Sequence, residues 1–126
     1  MVTSAFPIIG TPDLVEMLRF YQDLLGGVVT YRFPAEGDAQ YVGIDLGSSH
    51  LGLGQDDAVS RGAQQRFSLW VYVDDCHDAV ATLRQAGVPV LAEPAVQVWG
   101  ETVARVSDPD GNTVIVGSAA RVRREL

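Results

Sequence analysis

The sequence predicts an α+β fold made of two βαβββ modules. Two segments with helical spacing of apolar residues, at 13–26 and 75–87, have nearly the same length. Each follows one short strand-like run and precedes three more, and a polar, glycine-containing linker separates the two sets. Because each helix has a single apolar stripe, we expect it to cover one face of a sheet and to leave the other face free.

In the first module, a strand signal at residues 5–9 precedes the helix. Thr11 is the expected N-cap, Pro12 suits the first helical position, and Gly26 or Gly27 ends the helix. Three strand-like runs then follow, at 28–33, 40–46 and 50–53.

The second module repeats this order. A clear strand, FSLWVYV, occupies residues 67–73, Asp74 or Asp75 caps the helix, and Gly87 with Pro89 stops it. The following runs cover 90–91 continuing through 96–99, then 102–106 and 113–116. With 126 residues the chain fits one domain. Its expected parts are modules at 4–54 and 66–118, a linker at 55–65 and a basic tail at 119–126.

Alternation along the strand FSLWVYV assigns its side chains to faces. Leu69 and Val71 should pack under the helix, whereas Ser68, Trp70 and Tyr72 should point the other way. Two large aromatic residues on the free face indicate either the wall of a groove or ordinary interface aromatics, and the pattern leaves both interpretations open.

Composition excludes several classes of function. The formal charge is −7, and without the last six residues six basic residues face fifteen acidic ones, a charge of −9. Such a chain repels nucleic acid and anionic membranes and attracts cations. No apolar run is long enough to cross a bilayer, the N-terminus lacks the features of a signal peptide, and Cys76 alone cannot form an internal disulfide. We therefore expect a cytoplasmic protein that binds neither nucleic acid nor membrane.

Three stretches of the chain form a recognisable set: PDLVEMLRFYQDLLGG, WVYVDD and VWGETVARVSDPDGNTVI. Together they resemble the vicinal oxygen chelate superfamily, which includes glyoxalase I, ring-cleaving dioxygenases, fosfomycin-modifying enzymes and bleomycin resistance proteins. The resemblance extends over nearly the whole chain, and DPDGN after the Trp-Gly pair is its most specific part. It implies the glyoxalase/bleomycin resistance fold, in which two βαβββ modules form a curled mixed sheet around a concave site, usually completed by a second subunit.

Enzymes of this superfamily bind a divalent metal through His and Glu side chains. The resemblance places three of the four ligand positions at Phe6, Ser68 and Ile115, and the fourth near His50. Phenylalanine, serine and isoleucine cannot replace His and Glu as ligands, and one histidine does not make a metal site. We therefore expect no metal, no cofactor and no metal-dependent catalysis. Cys76, flanked by aspartates, is interpreted as a structural cysteine.

The sequence is most similar to the metal-free bleomycin resistance proteins of that superfamily. The similarity includes the opening TSA-x-P, the aromatic residues of the fifth strand and the Trp-Gly pair before the seventh. It implies a homodimer that sequesters a bulky cationic antibiotic, or a similar small molecule, in a groove at the subunit interface. The residues expected to bind this ligand, through π-faces or polar groups, are Tyr31, Tyr41, Asp45, His50, Trp70, Tyr72 and Trp99.

Two other interpretations stay open on the sequence alone. One is a glyoxalase- or dioxygenase-like enzyme with an atypical metal site that includes His50, Glu93 or Glu101. The other is a subunit or regulatory domain whose aromatic surface binds another protein.

Overall fold

The computed structural model describes Ser4, residues 6–59 and residues 68–120 of the chain. Ala5, Phe67, most of the expected linker and the last six residues of the tail lie outside the described residues. The chain divides into two compact units, Met1–Ala63 and Gln64–Leu126. Each unit contains one four-stranded mixed sheet and one helical segment, so the predicted α+β fold of two βαβββ units is confirmed.

In the first unit the strand order is β1-β4-β3-β2. Strand β1 pairs in parallel with β4, whereas β2, β3 and β4 form an antiparallel meander. The elements are β1 (Ile8–Thr11), α1 (Leu14–Leu18) with a π-helical continuation (Arg19–Leu24), β2 (Val28–Phe33), β3 (Tyr41–Leu46) and β4 (Ser49–Gln55).

The start of the first helix differs from the expectation that Thr11 is its N-cap. Thr11 is instead the fully buried last residue of β1, and its carbonyl accepts a hydrogen bond from the Asp56 N–H at 2.7 Å. Asp13 is the N-cap, since its carboxylate accepts from the Glu16 N–H. The apolar spacing located the helix correctly, but the pairing of β1 with β4 places Thr11 in the strand, so the cap lies two residues later.

The second unit has the equivalent strand order, β5-β8-β7-β6, with β5 parallel to β8. Asp75, one of the two expected caps, accepts from the Asp78 N–H and is the N-cap of the helix. The elements are β5 (Leu69–Tyr72), α2 (Cys76–Gln85), β6 (Val90–Val96), β7 (Thr102–Ser107) and β8 (Thr113–Ser118). Residues 97–99, which were expected to extend β6, instead lie in the turn to β7.

Each helix buries its apolar stripe against one face of its own sheet. In the second unit, for example, Val80 and Leu83 of α2 are buried, as are Val106 of β7 and Val114 of β8. The opposite faces keep large side chains exposed, including Phe6, Tyr31, Phe33, Trp70 and Tyr72. No helix in the described part of the chain is long and apolar enough to span a membrane.

The DPDGN motif forms the turn between β7 and β8. The buried Asp108 carboxylate accepts hydrogen bonds from the backbone N–H groups of Asp110 and Asn112 and from the Asn112 side-chain amide, at 2.8–2.9 Å. Gly111 has a φ of 87°, which favours glycine at that position. The most specific motif of the sequence therefore acts as a turn and contributes its polar groups to folding.

Candidate functional site

Glycines form the centre of the exposed face of the first sheet. Gly43 of β3 and Gly52 of β4 are directly opposite each other in the antiparallel register. Neither has a side chain, so neighbouring rings lie close to the strand backbone: a Cβ at Gly52 would meet the Tyr41 hydroxyl, and one at Gly43 would lie 3.2 Å from His50 Nε2. The backbone thus supports one side of each ring.

Around these glycines lies a set of rings that we call the first aromatic cluster. The Tyr31 and Tyr41 ring centroids are 6.1 Å apart, and Phe6 packs edge-on against His50 at 4.7 Å. Phe33 is the register partner of Tyr41 and is 59% exposed. The cluster consists of Phe6, Tyr31, Phe33, Tyr41 and His50. Its rings offer π-faces to a flat ligand at little cost in side-chain freedom.

Asp45 and His50 form a polar pair within this face. They are register partners on β3 and β4, and His50 Nδ1 lies 2.8 Å from Asp45 Oδ1. Because a carboxylate can only accept, His50 donates from Nδ1 and keeps Nε2 as an acceptor while the imidazole is neutral. The pair is partly exposed, so it can exchange hydrogen bonds with a ligand.

The exposed face of the second sheet carries the second aromatic cluster, made of Trp70, Tyr72 and Trp99. The Trp70 and Tyr72 ring centroids are 5.9 Å apart on β5. Three adjacent atoms of the Trp70 indole lie 3.0–3.4 Å from the place that a Cβ would take at Gly117 of β8. Trp99 stands in the turn between β6 and β7 and is 58% exposed.

Glu101 links two members of the second cluster. The Trp99 indole N–H donates to Glu101 Oε1 at 2.6 Å. Hydrogen bonding to Glu101, partial desolvation and the negative charge of Glu101 raise the pKa of Tyr72 above its ordinary value. Sequence reasoning considered Glu101 only as a metal ligand. The signal it missed was an acid two residues after a tryptophan within a tight turn.

The structure places the expected ligand-binding residues in two groups. Tyr31, Tyr41, Asp45 and His50 lie together on the exposed face of the first sheet. Trp70, Tyr72 and Trp99 lie together in the second unit, two of them linked by Glu101.

The residues at the implied metal-ligand positions do not suit a metal ion. Phe6 places an apolar ring against His50, and His50 is already hydrogen-bonded to Asp45. In the second unit Ile115 is buried and is the strand-pairing partner of Trp70, and Ser68 directly precedes β5. Among residues 6–59 and 68–120, no three His, Cys, Asp or Glu side chains are grouped as a metal site requires.

Cys76 does not provide a nucleophile. Its side chain is fully buried, and its thiol donates to the Val116 carbonyl at 3.3 Å. Burial, with the nearby charge of Asp75, raises the pKa of the thiol. The interpretation of Cys76 as a structural cysteine agrees with this environment.

Comparison with known proteins identifies a family. The sequence profile of the Glyoxalase/Bleomycin resistance protein/Dioxygenase superfamily matches residues 4–116, which is most of the chain. No curated protein sequence matches the chain significantly.

Several solved structures share the fold. A bleomycin resistance determinant encoded on the transposon Tn5 is 22% identical, with a TM-score of 0.70, and the match covers 96% of this chain and 100% of that one. A bleomycin-binding protein complexed with bleomycin is 23% identical, with a TM-score of 0.68, over 94% and 99% of the two chains. A lactoylglutathione lyase from Agrobacterium tumefaciens is 22% identical, with a TM-score of 0.71, over 94% and 95%. Binding proteins and an enzyme are both similar, so the likeness defines the fold alone.

Proposed function

The chain belongs to the Glyoxalase/Bleomycin resistance protein/Dioxygenase superfamily, and from that premise we propose that it binds and sequesters a bulky cationic antibiotic, or a similar small molecule, without a metal. The observation that carries the proposal is the pair of exposed aromatic clusters, each of which has rings packed against the backbone of a glycine. The homodimer and the ligand groove at its subunit interface are part of the same proposal. A similar structure that holds bleomycin supports this ligand class.

The clusters suit flat, positively charged ligands for physical reasons. Each stacked ring contributes about 0.5–1.5 kcal/mol beyond the burial of its area. Trp70 and Trp99 can also accept a cation over their faces. The formal charge of −7 attracts a cation from solution.

The absence of suitable ligands at the implied metal positions separates this proposal from an enzyme of glyoxalase or dioxygenase type. Phe6, Ser68 and Ile115 stand where that chemistry needs His and Glu. The acids of the alternative site already have partners, because Glu93 is paired with Arg84 and Glu101 is bound by Trp99 and Tyr72.

Tryptophan fluorescence tests the proposal directly, because both tryptophans of the chain belong to the second aromatic cluster. Titration with bleomycin is expected to give saturable quenching at one ligand per subunit, equal with and without EDTA. Trp99→Ala should weaken binding by about tenfold, the loss of one well-stacked ring. The matched control is Val98→Ala, which truncates a fully exposed neighbour in the same turn and should leave affinity unchanged.

Light scattering of the same sample should give a mass twice that of the chain. Two results would reject the proposal: no quenching by bleomycin or other cationic peptide antibiotics, or turnover of a glyoxalase or dioxygenase substrate that requires added metal.

A further inference from the structure

Glu101 connects two aromatic side chains that come from different parts of the second unit. Tyr72 is the last residue of β5, at one edge of its sheet, whereas Trp99 lies in the turn that joins β6 to β7. Glu101 directly precedes the first residue of β7, Thr102. Its carboxylate accepts from the Trp99 indole N–H at 2.6 Å, and interaction with the same carboxylate raises the pKa of Tyr72.

Strand β8 lies between the strand that carries Tyr72 and the strand that follows Glu101, and its residue beside Tyr72 is Gly117. Tyr72 is the register partner of Gly117, which is in turn the partner of Val103 on β7. Val103 and Glu101 share a face because they are two residues apart along a strand direction. Gly117 has no side chain, and the atoms nearest to the place of its missing Cβ belong to the Trp70 indole.

The turn that carries Trp99 is itself closed by backbone hydrogen bonds. The Gln97 N–H donates to the Glu101 carbonyl at 2.8 Å, and the Gly100 N–H donates to the Gln97 carbonyl at 2.9 Å. These two hydrogen bonds hold the backbone of the turn, and the hydrogen bond to Glu101 holds the indole of the exposed Trp99 side chain.

We propose that Glu101 is a positioning residue that holds Trp99 and Tyr72 in fixed orientations, so that the second aromatic cluster presents an ordered wall to its ligand. This inference rests on the proposed function. An exposed ring that must be ordered on binding loses part of its stacking energy to that ordering, and a carboxylate that holds two rings beforehand removes this cost. With the Trp99 indole N–H already bound, Glu101 acts on the ligand through the rings it orients.

The test compares Glu101→Gln and Glu101→Ala with the wild type in the bleomycin titration. Glu101→Gln keeps the shape and a neutral acceptor, so the dissociation constant should rise by about threefold. Glu101→Ala removes the hydrogen bond to Trp99 and the carboxylate that acts on Tyr72, and we expect a rise of about tenfold. The matched control is Glu93→Gln, which removes the same charge in the same unit from a side chain paired with Arg84 of α2.

Two readouts need no ligand. The pKa of Tyr72, followed by NMR of carbon-13-labelled tyrosine and assigned with Tyr72→Phe, should fall toward its ordinary value in both Glu101 variants. The indole N–H resonance of Trp99, assigned with Trp99→Phe, should lose the downfield shift of a hydrogen bond to a carboxylate. Glu93→Gln should move neither signal.

The outcomes separate this inference from the proposed function. If wild-type protein binds no antibiotic, the proposed function fails, whereas the two NMR signals still report whether Glu101 holds the rings. If the wild type binds and both Glu101 variants bind equally well, the positioning role is refuted, whatever the NMR signals show. Unchanged NMR signals in Glu101→Ala would refute the hydrogen-bonded arrangement itself.

Discussion

Glycine residues determine where the aromatic side chains of this protein can lie. Gly43 and Gly52 are buried although they stand on the exposed face of the first sheet, because the His50 and Tyr41 rings cover them. Gly117 has the same relation to Trp70 in the second sheet. A side chain at any of these positions would compete with the ring for the same space, so each glycine is part of the candidate site although it offers no functional group.

Gly52→Ala tests this relation. The new Cβ would meet the Tyr41 hydroxyl and would lie 2.9 Å from Ile8 Cγ1, so the Tyr41 ring must move away from β4. We expect bleomycin affinity to fall by about threefold, while the free energy of unfolding changes by less than about 1 kcal/mol because the tyrosine ring is free to swing outward.

The control for this prediction is Gly54→Ala, two residues along the same strand and on the same face. There the nearest atom, Tyr41 Cδ2, would be 3.8 Å away, which is an ordinary contact. Affinity from fluorescence titration and the NMR shifts of the Tyr41 ring report the result. Equal affinity for both variants, with an unmoved Tyr41 ring, would show that the glycine does not determine the position of that ring.

At the scale of elements, the turn between β7 and β8 stabilises the second unit through one aspartate. Asp108 is 3% exposed, and its two carboxylate oxygens accept three hydrogen bonds across the turn. The turn aligns β7 and β8, the two central strands of the sheet, so the motif fixes their register.

Asp108→Ala should therefore lower the free energy of unfolding by about 2–3 kcal/mol, because buried N–H groups lose a charged acceptor. Chemical denaturation followed by circular dichroism measures this. Asp38→Ala, which removes an exposed carboxylate in the first unit, should change the free energy of unfolding by less than about 0.5 kcal/mol. A loss from Asp108→Ala no greater than that from Asp38→Ala would contradict the structural role of the motif.

The elements were largely predictable from the sequence because their apolar periodicities are strong. The bounds of β2 agree fully with the strand-like run at 28–33. Helix α2, Cys76–Gln85, lies inside the predicted segment 75–87, whose outer residues are its caps and the glycine that follows. The errors fall where tertiary contacts decide. Thr11 belongs to β1 because that strand pairs in parallel with β4, and the turn after Val96 is closed by a hydrogen bond from the Gln97 N–H to the Glu101 carbonyl. Local propensity contains neither contact.

The candidate site was predictable in part. Strand alternation correctly placed Trp70 and Tyr72 away from the helix. The Glu101 link was not predictable, because it joins a residue before β7 to one on β5 across an intervening strand. The covered glycines were missed for the same reason, since what lies above a glycine depends on its neighbours in the sheet.

At the scale of the whole molecule, net charge should govern how quickly a ligand arrives. The chain carries a formal charge of −7, and the charged side chains of the described residues lie mostly at the surface. For a cationic ligand such a field raises the association rate more than it slows dissociation.

We therefore expect the association rate of bleomycin to fall roughly tenfold between about 20 mM and 200 mM salt, with little change in the dissociation rate. Stopped-flow fluorescence measures both rates. A variant with Asp38→Asn, Asp57→Asn and Glu93→Gln, all outside the aromatic clusters, should show a slower association rate at low salt and a weaker salt dependence. An association rate that does not respond to salt would exclude electrostatic capture.

The two sheets also differ in the regularity of their edge strands β6 and β2. Strand β6, at the margin of its sheet, contains Pro94 and two irregularities in its pairing with β7, so its outward edge lacks a regular row of backbone donors. Strand β2 has no proline and only one irregularity, and it is rich in β-branched and aromatic residues. Addition of a further strand, whether in ordered assembly or in aggregation at high concentration, is therefore favoured at β2 and opposed at β6.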